Sequence, residues 1–227
     1  MSLDAIIRLT EIMLALAVLQ QSVEHFLGGR DRALFGVRIL ACLWMLTGWH
    51  SDGAVVTLWL TGLVYLHRFN GPYNGGADKM TMLITTCLMA AHLAPPGQWQ
   101  ELAMAYLAVQ LVLSYFVSGY VKIVNPEWRS GRALVDVFRF SAYPVSESLR
   151  SWAARPRLLW LMSWSVMGFE VIFPLALLHP VALWIGMAIA ATFHLANACL
   201  FGLNRFFWIW LCAYPSLIWF QDRVFGG

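Results

Sequence analysis

Charge is scarce in this chain. Only 12% of its 227 residues are Asp, Glu, Lys or Arg, against about 25% in an ordinary soluble domain. That excludes a surface built to face water all round. Cysteine is sparse too. Cys42, Cys87, Cys199 and Cys212 lie inside apolar segments with no C-x-x-C pair, so they read as buried small residues. The six histidines show no H-x-x-x-H or H-x-x-E-H spacing, which argues against a metal site. No Walker A, GxGxxG or GxSxG motif occurs. No A-x-A-like site follows the first apolar stretch, and Asp4 precedes Arg8, so no cleavable signal peptide is expected. The net charge of +3 does not point to nucleic acid, because the basic residues sit in loops, where membrane topology explains them. No internal repeat and no soluble domain is visible.

Hydrophobic residues make up 60% of the chain, and they come in long blocks. This predicts an all-α membrane protein, a polytopic bundle of seven to eight helices. Twelve Trp and seven Tyr suit two aromatic interfacial belts. The blocks predict helices near 5–27, 34–50, 54–69, 79–93, 101–122, 158–178, 180–201 and 205–221. The first is the weakest. Its apolar run covers only Ile12 to Leu19, flanked by Arg8, Glu11, Gln20, Gln21, Glu24 and His25, a pattern that suits a helix lying partly in the interface. Gly28-Gly29, Ser51-Asp52-Gly53, Gly71-Pro72, Pro95-Pro96-Gly97 and His179-Pro180 punctuate the blocks, because Gly permits positive φ and Pro removes a donor. Within the longest connection, about 123–157, the stretch Ala133 to Phe138 is too short to span. It predicts a short interfacial helix, with Arg129, Arg132 and Arg139 near lipid phosphates.

Orientation follows from the basic residues. Loops 28–33, 68–79, 123–157 and 202–205 on one side gather Arg30, Arg32, Arg38, Arg68, Lys79, Arg129, Arg132, Arg139, Arg150, Arg155, Arg157 and Arg205. The other side has Arg8 and Arg223. The richer side is expected to be cytoplasmic, in a bacterial inner membrane.

Ionisable residues inside apolar helices are costly, at ~2.5–3.5 kcal/mol for a central charge on insertion scales, and so mark candidate sites. Lys122 ends a long apolar helix. It reads as a snorkelling lysine at a helix C-terminus, or as an amine in a dry pocket that serves as a base. Ser118-Gly119, one turn earlier, thins the helix for close packing or a ligand. Glu170 falls roughly 12 residues into its helix, ~18 Å from the end, where a short carboxylate must pair or be protonated. Pro174 frees the Glu170 carbonyl. His194 and Asn197 are i, i+3 neighbours. The turn Asn74-Gly75-Gly76 leads to Asp78, which can cap the next helix or line a polar vestibule.

Three blocks of these residues, in order, resemble one family. Asn74-Gly75-Gly76-x-Asp78 resembles a Gly-Gly-Asp block. Ser118-Gly119-x-x-Lys122 with Trp128-x-x-Gly131 resembles a small-Gly-x-x-Lys…Trp-x-x-Gly block. Glu170-x-x-x-Pro174 and Phe193-His194, ending at Phe206-Phe207, resemble two late helices. The family is that of the horizontally transferred transmembrane (HTTM) domains, shared with vitamin K-dependent γ-glutamyl carboxylases, and the likeness covers about 60–221. The resemblance implies that Lys122 matches the lysine that deprotonates vitamin K hydroquinone. Oxygenation there yields a strong base that removes a glutamate γ-proton before CO2 adds. It also implies positions inside the bundle for Glu170 and His194. In contrast to the carboxylases, no large extramembrane region for a propeptide is expected within these 227 residues.

The expected activity is quinone-linked redox or proton abstraction, modifying a small peptide. Lys122 is the base, Glu170 sets the pocket charge, and His194 and Asn197 orient the ligand. Asn74, Asp78, Ser118 and Gly119 contribute to cofactor binding. The alternative is a non-catalytic accessory subunit packed among other membrane proteins. A solute transporter fits less well, since no inverted repeat or paired broken helices are seen.

Overall fold

A computed structural model describes residues 1–29, 31–68, 75–141 and 146–226. Among the described residues it contains eleven α-helices, two 3-10 segments and no strand. In chain order the helices are α1 Leu3–Leu27, α2 Arg32–Thr47, α3 Ser51–Arg68, α4 Gly75–Leu93, α5 Gln98–Val124, α6 Pro126–Arg129, α7 Arg132–Phe140, α8 Pro156–Ile172, α9 Pro180–Phe201, α10 Asn204–Cys212 and α11 Tyr214–Phe225. The 3-10 segments are Glu147–Ala154 and Phe173–Leu178.

Each of the eight expected segments has a counterpart, but the count of seven to eight is exceeded for two reasons. The last segment breaks at Ala213, where Pro215 starts a new first turn and cannot donate to the turn before it. The connection after α5 holds two short helices, α6 and α7, instead of one. Pro174 likewise ends α8 and tightens the next turn into the 3-10 segment Phe173–Leu178.

Among the described residues, three stretches are long and apolar enough to cross a membrane: Gln98–Val124, Pro156–Leu178 and Pro180–Phe201. They expose Val117, Val121, Leu161, Ile172, Ile185 and Ile189. A bilayer tolerates that surface because helices satisfy their own backbone groups. Three of the cysteines are buried as expected, but Cys199, on α9, is exposed.

The chain divides into two compact units, with the divisions inside α5 and α10. The first comprises Met1–Val109 and Trp208–Gly227. In it α1 buries Ile7, Leu14 and Val18, spaced to share one helical face. The same period carries Thr10, Glu11, Gln21 and Ser22 inward, so of the polar residues flanking the first apolar run Glu11 and Gln21 face the core, whereas Gln20 and Glu24 are exposed. Glu11 is 1% exposed and tolerable there because it is saturated. Arg8 Nη1 donates to it at 2.8 Å, Ser51 Oγ at 2.8 Å, and His92 Nε2 shares a hydrogen bond with it. Arg8 also donates to the Met45 and Leu46 carbonyls, each at 2.7 Å. These are carbonyls of the last turn of α2, which ends as Gly48 turns left-handed at φ +76, and Met45 O also accepts from the Gly48 N–H at 3.2 Å. Arg38 corrects the loop tally. It is buried within α2, its Nη1 3.4 Å from Thr61 Oγ1 and its guanidinium 5.7 Å from the Tyr65 ring centre.

The second unit is Gln110–Phe207. Its α6–α7 segment is strapped to α8. Ser163 Oγ donates to the Trp128 carbonyl at 2.7 Å and Trp164 Nε1 to the Arg129 carbonyl at 3.1 Å. Gly131 makes this possible. Its φ is +79, and a Cβ there would stand 2.8 Å from Trp160 Cα. The helix α7 inserts Phe138 among Ala153, Leu159, Trp152 and Phe201. This short helix, too small to span, is thus anchored to the protein through Phe138.

Candidate functional site

One face of α5 carries Tyr115, Ser118, Gly119 and Lys122, at i, i+3, i+4 and i+7. All lie in the second unit, as do their partners on α8 and α9.

Lys122 does not snorkel. Its Nζ turns back one helical turn and donates to Ser118 Oγ at 2.6 Å. It also reaches both Glu170 oxygens, at 2.7 and 2.6 Å. Ser118 Oγ donates to Glu170 Oε1 at 3.2 Å. An ammonium has three donors, and all three are engaged. The Glu170 side chain is 3% exposed and that of Lys122 16%. The carboxylate buried deep in α8 has thus found the cation its position demanded.

Two glycines and a tryptophan shape this pair. A Cβ on Gly119 would lie 2.8 Å from Glu170 Cβ and 2.9 Å from the Val171 backbone nitrogen, so only glycine allows α5 and α8 to approach closely enough. After α5, Asn125 caps α6 by accepting from Glu127 N at 2.9 Å. That turn brings the Trp128 ring to 5.4 Å from Lys122 Nζ, within cation–π range. The spacing Ser118-Gly119-x-x-Lys122…Trp128-x-x-Gly131 is therefore one structural device. Gly119 admits Glu170, Trp128 covers Lys122, and Gly131 lets the strap lie on α8.

Beside this pair, His194 Nε2 and Tyr115 Oη are hydrogen-bonded at 2.8 Å. Both residues are almost fully buried. Phe169, Phe173, Phe193 and Phe206 surround them, with ring centres 4.4–5.9 Å from Tyr115 or His194. Sequence reasoning did not single out Tyr115 as a site residue. The signal was present in its i+7 spacing to Lys122.

The remaining expected residues are distributed differently. Asn197 Nδ2 donates to the Phe193 carbonyl at 3.1 Å, inside its own helix. Asp78 is buried in the first turn of α4, which begins at Gly75, so it sits near the helix N-terminus without being the cap. It belongs to the first unit. Asn74 lies outside the described residues. No group of three or more His, Cys, Asp or Glu able to hold a metal occurs among the described residues.

A helical bundle with apolar spans and a buried ion pair within them defines an integral membrane protein. The chain belongs to the HTTM family, whose domain matches residues 96–222. The match contains the Lys122 and Glu170–His194 blocks and stops short of the Asn74–Asp78 block. No curated protein matches the chain, and no solved structure does.

Proposed function

We propose that the protein is a membrane enzyme that abstracts a proton from a quinone-class lipid in its reduced form, in the course of modifying a small peptide. The observation that supports this is the Lys122–Ser118–Glu170 cluster under Trp128. A lysine and a carboxylate at hydrogen-bond distance, away from water, can exchange one proton between them, because the neutral pair avoids the cost of two buried charges. In that state Lys122 Nζ has a lone pair and acts as general base. Glu170 stores the proton that Lys122 gave up. The neighbouring phenylalanine rings with Tyr115 and His194 are chemically suited to an aromatic head group. A hydroquinone bound there supplies an acidic hydroxyl. The peptide as the modified substrate rests on the resemblance to the carboxylases alone.

In this reading the protein sits in a bacterial inner membrane with loops 28–33, 68–79, 123–157 and 202–205 cytoplasmic. Removing Arg38 from the tally leaves the arginine bias intact.

A second reading makes the protein a non-catalytic subunit of a larger membrane complex. The saturation of all three Lys122 donors favours it, since a purely structural ion pair looks the same. Mass spectrometry of the protein purified gently from its native membrane separates the two. Bound quinone without a stoichiometric partner chain supports the enzyme. Stoichiometric partners without a redox lipid support the subunit.

A further inference from the structure

The segment that closes the Lys122 site also has an outward face. Residues 125–157 hold six arginines and three carboxylates, and the balance is uneven in space. Arg132 is spent on Glu127 at 3.3 Å and Asp136 at 4.0 Å. Arg150 is spent on Glu147 at 2.6 Å and on the Arg139 carbonyl at 2.6 Å. The Arg150 hydrogen bond holds Glu147 below the usual carboxylate range, so those two charges cancel. Arg129, Arg139, Arg155 and Arg157 are exposed and make no ion pair among the described residues. Apolar side chains stand beside them. Phe140 is 68% exposed, with the Arg139 guanidinium 5.9 Å from its ring centre. Leu158, Trp160 and Leu161 are exposed on the first turns of α8.

The location decides which partner fits. This face lies where α8 begins and, through the Phe138–Phe201 ring contact at 5.0 Å, where α9 ends. Both helices belong to apolar spans. Unpaired arginines beside exposed aromatic and aliphatic groups, at the level where spans end, meet phosphate oxygens outward and acyl chains inward. Arginine suits phosphate because its fork donates two parallel hydrogen bonds.

We propose that α6, α7, the Glu147–Ala154 segment and the start of α8 form a docking surface for the head groups of anionic phospholipids, with α7 lying in the plane of the membrane. The docked lipid braces the strap that covers Lys122, since Arg129 belongs to α6, whose carbonyls are held by Ser163 and Trp164. This inference does not depend on the proton-abstraction reading.

The test uses the full chain in detergent micelles, titrated with phosphatidylglycerol or phosphatidylcholine and read by native mass spectrometry. The wild type is expected to retain phosphatidylglycerol over phosphatidylcholine by about tenfold or more, from several arginines near the head groups. The preference should shrink as salt is raised. The triple variant Arg139→Gln, Arg155→Gln, Arg157→Gln should bring it to within about twofold. Arg223→Gln, in the first unit, should leave it unchanged. Equal retention of both lipids by the wild type, or a preference indifferent to salt, overturns the proposal even should the triple variant not fold. So does a triple variant that keeps the lipid preference and instead loses a stoichiometric acidic protein partner from native membranes.

Discussion

Breaking the Lys122–Glu170 pair from one side should cost far more than removing it whole. Replacing Glu170 by Leu leaves the Lys122 ammonium under Trp128 with only the Ser118 hydroxyl among its present polar partners. With both side chains largely buried, at 16% and 3% exposure, stranding one charge is expected to destabilise by about 3–5 kcal/mol. That corresponds to roughly a hundredfold to several-thousandfold in the unfolding equilibrium. Lys122→Met should cost a similar amount. The double variant Lys122→Met, Glu170→Leu removes both charges and fills the space with apolar atoms. It should recover most of the loss and fall within about 1 kcal/mol of wild type. Reversible unfolding in mixed micelles, with increasing denaturing detergent, measures all four proteins as a double-mutant cycle. Single variants within about 0.5 kcal/mol of wild type would refute the reasoning, because the pair would then behave as an exposed surface bridge. So would a double variant whose loss equals the sum of the singles, since no coupling would exist.

Other substitutions probe the packing around the pair. Gly119→Ala should destabilise by about 1–3 kcal/mol, because its Cβ meets Glu170 and the Val171 backbone inside 3 Å; thermal melts in detergent read this. Tyr115→Phe removes the 2.8 Å bond to His194 and should cost about 1–2 kcal/mol in the same assay, with no change in Lys122–Glu170 coupling. Glu11→Leu strips Arg8, Ser51 and His92 of their shared acceptor. It should speed amide exchange in α1 to α4 while leaving α8 and α9 as protected as in wild type.

Much of this architecture was legible because a bilayer simplifies the physics. Long apolar blocks must be helices, and Gly and Pro pairs must separate them. Glu170 was the most informative single residue, since a short carboxylate deep in a span has few alternatives to a cationic partner. Lys122 read ambiguously, because a lysine near a helix end can reach water or turn inward. Only the position of Glu170 decides between the two. Arg38 and Glu11 misled for the opposite reason. Their polar partners are distant in sequence, Thr61 for one and Ser51 and His92 for the other. A helix that buries a charge therefore resembles one that ends near water. Tyr115 was hidden by its company, since a tyrosine among aromatic residues reads first as part of an interfacial belt. Asn197 spends its amide on its own helix, and i, i+3 spacing does not register that competition.

The central claim is that Lys122 is a base and not merely half of an ion pair. The double variant Lys122→Met, Glu170→Leu tests it directly, because its fold is expected to survive. The measurement is oxygen uptake after a menaquinol-class hydroquinone is added to protein reconstituted in vesicles. Uptake by the wild type that falls to the level of empty vesicles in the folded double variant is the predicted result. Uptake by the folded double variant equal to that of the wild type would contradict the account.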